Sequence, residues 1–140
     1  KKLAKKLKVS ATFGYYPKEE LLQHVNMFDL YVHASEIEIE AIACLEALAC
    51  GKVPVIADSP NSATKNFALD SRSLFHNKDP ENLRRKIEYW MDNPDQIEQM
   101  SGKYVAAAQA NTLSKSIEAI EKVYEQVIAE HNAKGKESVS

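Results

Sequence analysis

Two glutamates, Glu38 and Glu46, stand eight positions apart in the run Glu38-Ile-Glu-Ile-Glu-Ala-Ile-Ala-Cys-Leu-Glu46. Eight helical residues advance about 12 Å and turn about 80° in azimuth, so carboxylates at that spacing can line one elongated ligand. An ionised carboxylate accepts hydrogen bonds and donates none, which suits a ligand rich in hydroxyl groups. Glu46 lies in Ala-Ile-Ala-Cys-Leu-Glu-Ala-Leu-Ala-Cys-Gly, where no other side chain is charged. Burying a carboxylate there requires compensating donors or a shifted pKa. A vicinal diol such as a ribose supplies two O–H donors to one carboxylate. A salt bridge to a lysine or arginine elsewhere is the plainer alternative.

Ser35, Glu36, Glu38 and Glu40 precede the helix that carries Glu46. A helix N-terminus presents unpaired N–H groups and the positive end of a dipole, which favours a phosphate, and the small residues Ala41 and Ala43 permit close approach. Three carboxylates at that spot would repel a diphosphate unless at least one reaches past it to sugar hydroxyls. Ser35-Glu-Ile-Glu38 also reads as a capping box, with Ser35 as N-cap and Glu38 at N3. The two readings differ in where the helix begins. A start near Ala41 frees Glu38 for a ligand, whereas a start at Glu36 commits it to the cap. Glu36 and Glu40 also read as plain solvated residues.

The surrounding pattern is that of an α/β protein. Residues 9–14 form a short β-favouring stretch stopped by Gly14 and Pro17, which predicts a first strand. A helix then opens at Pro17, with Leu21, Leu22, Val25 and Phe28 at helical spacing. Residues 30–33 are a near-continuous apolar run, as in a strand covered on both faces. Residues 41–50 predict an apolar helix ended by Gly51 at C′, 53–57 a third strand, and 73–75 a short fourth. Strands and helices in alternation predict right-handed crossovers and an open, Rossmann-like parallel sheet with helices on both faces. Ligands of such sheets sit beyond the carboxyl ends of the strands, here residues 33–41. His33 stands there and reads as a hydrogen-bonded residue at a strand end; Lys65 reads as a surface lysine. Asp79-Pro80-Glu81 caps a helix reaching about Asn93, and Pro94 restarts another. Residues 114–131 form the last, with an apolar stripe of Leu113, Ile117, Ile120, Val123, Tyr124 and Ile128. Residues 133–140 read as a polar, frayed tail.

With 140 residues, 44% of them apolar, and a net charge of −2, the chain can build one core and lacks the basic excess of a nucleic-acid binder. Lys1, Lys2, Lys5, Lys6 and Lys8 crowd the start, which reads as the solvated face of a short helix, or alternatively as a membrane-touching one. Cys44 and Cys50 match no metal or redox spacing and predict reduced thiols of a cytoplasmic protein. No stretch approaches the length of a membrane span, so any membrane contact is expected to be peripheral, at the cytoplasmic face. The chain opens on Lys1, inside a helical pattern, which predicts a piece of a longer protein.

Together these residues resemble the E-x7-E element of retaining glycosyltransferases of the GT-B fold. The likeness runs from Leu7 to Tyr124 through Phe13-Gly14-Tyr15, Glu19-Glu20-Leu21, Asp29-Leu30-Tyr31-Val32, Ser35, Glu38 to Glu46, and Gly51-Lys-Val-Pro-Val-Ile56. It implies a C-terminal, donor-binding part: residues 1–110 as the nucleotide-sugar-binding domain, 111–132 as a helix packing on it, and 133–140 as the tail. Glu38 would contact hydroxyls of the donor hexose, with Glu40 and the backbone of Ala41 and Ile42 at the sugar and its diphosphate. Glu46 would hold the nucleotide ribose, and Phe13, Gly14 and Tyr15 would border the base. Ile39, Glu40 and Ala41 stand where the family places glycines and an aromatic. The strings 35–40, 57–69 and 73–75 are similar to bacterial lipid α-glucosyltransferases, which act on diacylglycerol or cholesterol. That likeness implies UDP-glucose as co-substrate, no cofactor or metal, and a lipid acceptor, cholesterol favoured, held through an N-terminal domain. No catalytic residue is expected in this chain itself. A polysaccharide glycosyltransferase and a nucleotide-sugar epimerase are alternatives. So is a flavodoxin-like binding module, for which Asp58 would be the phosphorylated residue; no acidic companions accompany it in sequence.

Overall fold

The computed structural model describes residues 2–137. Lys1 and residues 138–140 lie outside the described residues. The architecture is an open parallel sheet with helices: α1 (Lys2–Leu7), α2 (Lys18–Asn26), β1 (Leu30–His33), α3 (Ile42–Ala49), β2 (Val53–Asp58), β3 (Leu74–His76), α4 (Pro80–Asp92), α5 (Pro94–Gln109) and α6 (Leu113–Glu137). Two 3-10 turns, Ala63–Phe67 and Ser71–Ser73, fill the connection between β2 and β3.

The sheet order is β1-β2-β3, all parallel, with Leu30 opposite Val53, His33 opposite Ile56, and Asp58 opposite His76. The central strand β2 is buried from Val53 to Ala57. Because alternate residues of a strand point to opposite faces, such a run must be covered on both sides. Val53, Val55, Ile56 and Ala57 meet Cys44 and Leu48 of α3, Phe75 of β3, Trp90 of α4, and Met100 and Tyr104 of α5 in one core. Truncating a core leucine such as Leu48 to alanine costs about 2–5 kcal/mol by lost transfer energy and the cavity left behind.

Local chemistry sets the helix ends. Gly51, at φ 74°, closes α3: its N–H bonds to Leu48 O, and that of Lys52 to Ala47 O. This is the paired-bond ending that a left-handed glycine permits. A Cβ on Gly51 would stand 2.5 Å from Ser101 Oγ of α5, so the same glycine also lets the two helices close. Asp79 accepts the N–H of Asn82 at 2.8 Å and Pro80 occupies the first turn of α4, as the sequence predicts.

Several expectations are corrected. Residues 9–14 form no strand. A strand exists only within a ladder, and no described segment pairs with them; the Val9 N–H bonds back to Ala4 O instead. The helix of residues 41–50 is not apolar on a buried surface all round: Cys44, Ala47 and Leu48 face the core, while Ile42, Ala43 and Ala49 are exposed. The apolar stripe of α6, expected to pack on the same domain, is exposed along its length, although Leu113 at its start borders a cavity with Leu45 and Ala108. The helix also runs on through residues 133–137, expected as a frayed tail; Gly135 is the one poor helix former in that stretch. The lysine-rich start is a short exposed helix among the described residues.

Candidate ligand site at the carboxyl ends of the strands

Helix α3 begins at Ile42, not Glu36. Its N-cap, Ala41, holds a left-handed backbone (φ 46°, ψ 42°), and no side chain caps the helix. The capping box of Ser35 and Glu38 therefore does not form. The N–H groups of Cys44 and Leu45 both turn to Ala41 O, at 2.8 and 3.2 Å. Those of Ile42 and Ala43 have no hydrogen-bond partner among the described residues. An uncapped N-terminus with small neighbours offers donors and positive dipole to an anion.

Glu38 is released from the helix and fastened elsewhere. Its N–H donates to Asn61 O at 3.3 Å and its carbonyl accepts from the Ala63 N–H at 2.9 Å, a parallel bridge to the loop after β2. Its Oε1 accepts the Ile39 N–H at 3.1 Å, and its Oε2 stands 3.8 Å from His33 Nε2. The loop pair has a third tie, since Ser59 Oγ donates to Glu36 O at 2.6 Å.

His33, the last residue of β1, is 9% exposed. Its Nδ1 lies 3.0 Å from Tyr31 Oη, and its Nε2 lies 3.3 Å from Thr64 Oγ1. Thr64 is fully buried and receives a hydrogen bond from Ser62 Oγ. Burial pushes the Tyr31 phenol up to about 12, with the neighbouring Cys44 and Glu38 adding to the effect. It is therefore protonated at ordinary pH.

Glu46 is partly exposed rather than buried, and its Oε1 lies 3.8 Å from Lys18 Nζ at the start of α2. That contact is the salt bridge of the plainer reading, long and exposed. The exposure has a simple cause: Cys44, Ala47 and Leu48 form the face that α3 turns to the core, and at about 100° per residue Glu46 falls on the opposite side of the helix. Glu40, Ile42 and Glu46 line one cavity of about 620 Å³, together with Leu45, Ala108 and Leu113. Glu38 is on the other side of the helix start, against His33 and the loop after β2. Phe13, Gly14 and Tyr15 lie in an extended, exposed segment, Tyr15 almost fully so. Phe13 borders a separate cavity with Lys2, Lys5 and Val9, so the structure does not bring these three residues into the cavity of Glu46. Lys65, half-buried, pairs with the exposed Asp58 at 3.6 Å. Among the described residues, no group of three or more His, Cys, Asp or Glu side chains is placed to hold a metal ion.

Ser62 and Thr64 escape sequence reading. Their approach to Glu38 and His33 depends on pairing between two loops separated by α3 and β2, and neither loop carries a local motif for it. Lys18 likewise reaches Glu46 only through tertiary packing.

No helix among the described residues is long and apolar enough to cross a membrane. The sequence model of glycosyl transferases group 1 matches residues 1–109. No curated protein sequence matches the chain. Among solved structures, the catalytic domain of cholesterol-α-glucosyltransferase from Helicobacter pylori is similar over 79% of this chain and 69% of that one. The two share 49% sequence identity, and the TM-score is 0.76. An open parallel sheet, an uncapped helix start beyond its carboxyl ends and these matches agree on one assignment: the chain belongs to the glycosyl transferases group 1 and has the fold of a GT-B transferase domain.

Proposed function

We propose that this chain is the donor-binding part of a retaining glucosyltransferase that takes UDP-glucose and, in the full-length protein, transfers glucose to a membrane-lipid hydroxyl, that of cholesterol. The observation that carries the donor reading is the uncapped start of α3, whose Ile42 and Ala43 N–H groups have no hydrogen-bond partner among the described residues, with Glu38 before it and Glu46 one turn along the helix. The diphosphate sits at the N–H groups of Ile42 and Ala43. Glu38 accepts from hexose hydroxyls, and Glu46 takes the ribose diol in exchange for its long, exposed contact with Lys18. Phe13, Gly14 and Tyr15 border the base once the segment closes over the ligand. Glu40 is the weakest member of the set, since it lies on the cavity side with Glu46. The charge developing on the leaving diphosphate is met by the helix dipole and by cations, without a metal.

The acceptor reading rests on the similarity to cholesterol-α-glucosyltransferase; a peripheral location at the cytoplasmic face of the membrane follows from a lipid acceptor. Two measurements on the full-length protein test the proposal. UDP binding by calorimetry should weaken in Glu46→Ala, and an unchanged affinity removes the ribose role. Incubation with UDP-glucose and vesicles containing cholesterol, diacylglycerol or neither should yield an α-glucoside with cholesterol. Product with diacylglycerol alone reassigns the acceptor, epimerised sugar reassigns the reaction, and no turnover rejects the donor.

A further inference from the structure

The buried imidazole of His33 takes no part in the donor contacts just assigned, yet it sits among three groups that define its state. Nδ1 faces the Tyr31 hydroxyl at 3.0 Å; Nε2 faces Thr64 Oγ1 at 3.3 Å and Glu38 Oε2 at 3.8 Å. A hydroxyl can donate or accept, but an ionised carboxylate only accepts. A lone pair on Nε2 would point at the negative Oε2, whereas an N–H there points its positive end at it. The carboxylate favours the Nε2–H tautomer, in which Thr64 Oγ1 and Glu38 Oε2 share the Nε2 proton and Nδ1 accepts from the Tyr31 O–H. Tyr31 can fill that role at any ordinary pH, because its phenol stays protonated.

We propose that Tyr31 and His33 form a positioning relay behind Glu38: Tyr31 O–H fixes the His33 tautomer, and His33 Nε2–H aims the Glu38 carboxylate at the ligand. The proposal rests on the donor-sugar role of Glu38. At 3.8 Å the last link is longer than a hydrogen bond, and a shift of under 1 Å on ligand binding closes it, as such contacts tighten in the bound complex. The other carboxylate oxygen is occupied by the Ile39 N–H, so the two fastenings leave the carboxylate one orientation. His33 is a positioning residue here, since it reaches the sugar only through Glu38.

The test is a double-mutant cycle on the full-length enzyme, reading kcat and KM for UDP-glucose, with thermal melting to verify folding. His33→Leu should lower kcat/KM for UDP-glucose about tenfold, the size of a lost hydrogen bond to a charged group, mainly through KM. His33→Gln, which retains an N–H donor near the Nε2 position, should recover most of the loss. In a Glu38→Gln background, His33→Leu should cost little more. Tyr31→Phe removes one oxygen from the relay and should show a severalfold loss that also vanishes in that background; it carries the test alone if His33→Leu fails to fold. If Glu38→Gln leaves the kinetics intact, the sugar role of Glu38 falls and the relay with it. If Glu38→Gln is impaired while His33 or Tyr31 variants are not, or lose equally in both backgrounds, the relay is overturned and the role of Glu38 stands.

Discussion

Lys18 Nζ lies 3.8 Å from Glu46 Oε1, joining the first residue of α2 to the middle of α3 through an ion pair whose lysine is largely solvated. Exposed pairs of this kind contribute about 0–1 kcal/mol, since water screens both charges. Lys18→Ala should therefore leave the melting temperature nearly unchanged. Glu46→Ala should do the same to stability but weaken UDP binding roughly tenfold or more, the size of a hydrogen bond to a charged group. Calorimetry and thermal denaturation on the same two variants separate the structural from the ligand-binding role of the carboxylate.

Ala41 holds a left-handed backbone, which costs an L-residue with a Cβ about 1–2 kcal/mol. Ala41→Gly removes that strain but adds unfolded-chain entropy and loses a buried methyl, so its stability should stay within about 1 kcal/mol of wild type. Ala41→Val adds β-branching in the same conformation at a position only 4% exposed, and should destabilise by about 2 kcal/mol or more. Urea denaturation of the pair decides whether the turn before α3 is set by backbone geometry.

Asp70 caps the second 3-10 turn through the Arg72 N–H at 2.8 Å, and accepts from Arg72 Nε and Nη2. The guanidinium in turn lies 5.2 Å from the centre of the Trp90 ring. Hydrogen bonds from the Arg72 side chain hold the Asp70 carboxyl below its usual range, outweighing the opposing effect of burial. A depressed folded pKa means stabilisation that is present above the unfolded value, about 3.9, and is lost as pH falls through the folded value. Because the pair is about one-third exposed, Asp70→Ala should cost about 1 kcal/mol at pH 7. The gap from wild type should shrink below about pH 4 in acid denaturation.

Cys44 is fully buried and its thiol is pushed up to about 12 by that burial, whereas Cys50 is partly exposed. The thiolate is the reacting species. Iodoacetamide at pH 8 should label Cys50 in the native protein and spare Cys44, with both reacting after denaturation; peptide mass mapping reads the difference.

The elements most legible in the sequence are those whose signals are local. Residues 53–57 announce a buried strand by an unbroken apolar run; residues 30–33 announce a strand, but β1 lies at the sheet edge with Val32 exposed rather than covered on both faces. Gly51 announces the end of α3, and Asp79-Pro80 the start of α4. What depends on distant partners is not legible. Residues 9–14 have strand composition but no ladder, and the stripe on α6 has helical periodicity but stays exposed. At the site, the sequence left Glu38 between a cap and a ligand; the start of α3 at Ile42 frees it from the cap. The neighbours of Glu46 in sequence suggest burial, yet burial belongs to a face of a helix rather than to a stretch of sequence, and Glu46 lies opposite the face of Cys44, Ala47 and Leu48. His33 was visible as a bonded histidine, but Thr64, which meets it, was not.

The bridge between Glu38 and the loop after β2 has a thermodynamic consequence. The peptide groups on either side of Glu38 are held by Asn61 and Ala63, and Ser59 fastens the carbonyl of Glu36. Residues 36–38 and 59–63 are therefore tied together in the folded chain. A sugar that meets Glu38 meets a surface already shaped, and the entropy of ordering these two loops is lost when the chain folds rather than when the donor arrives.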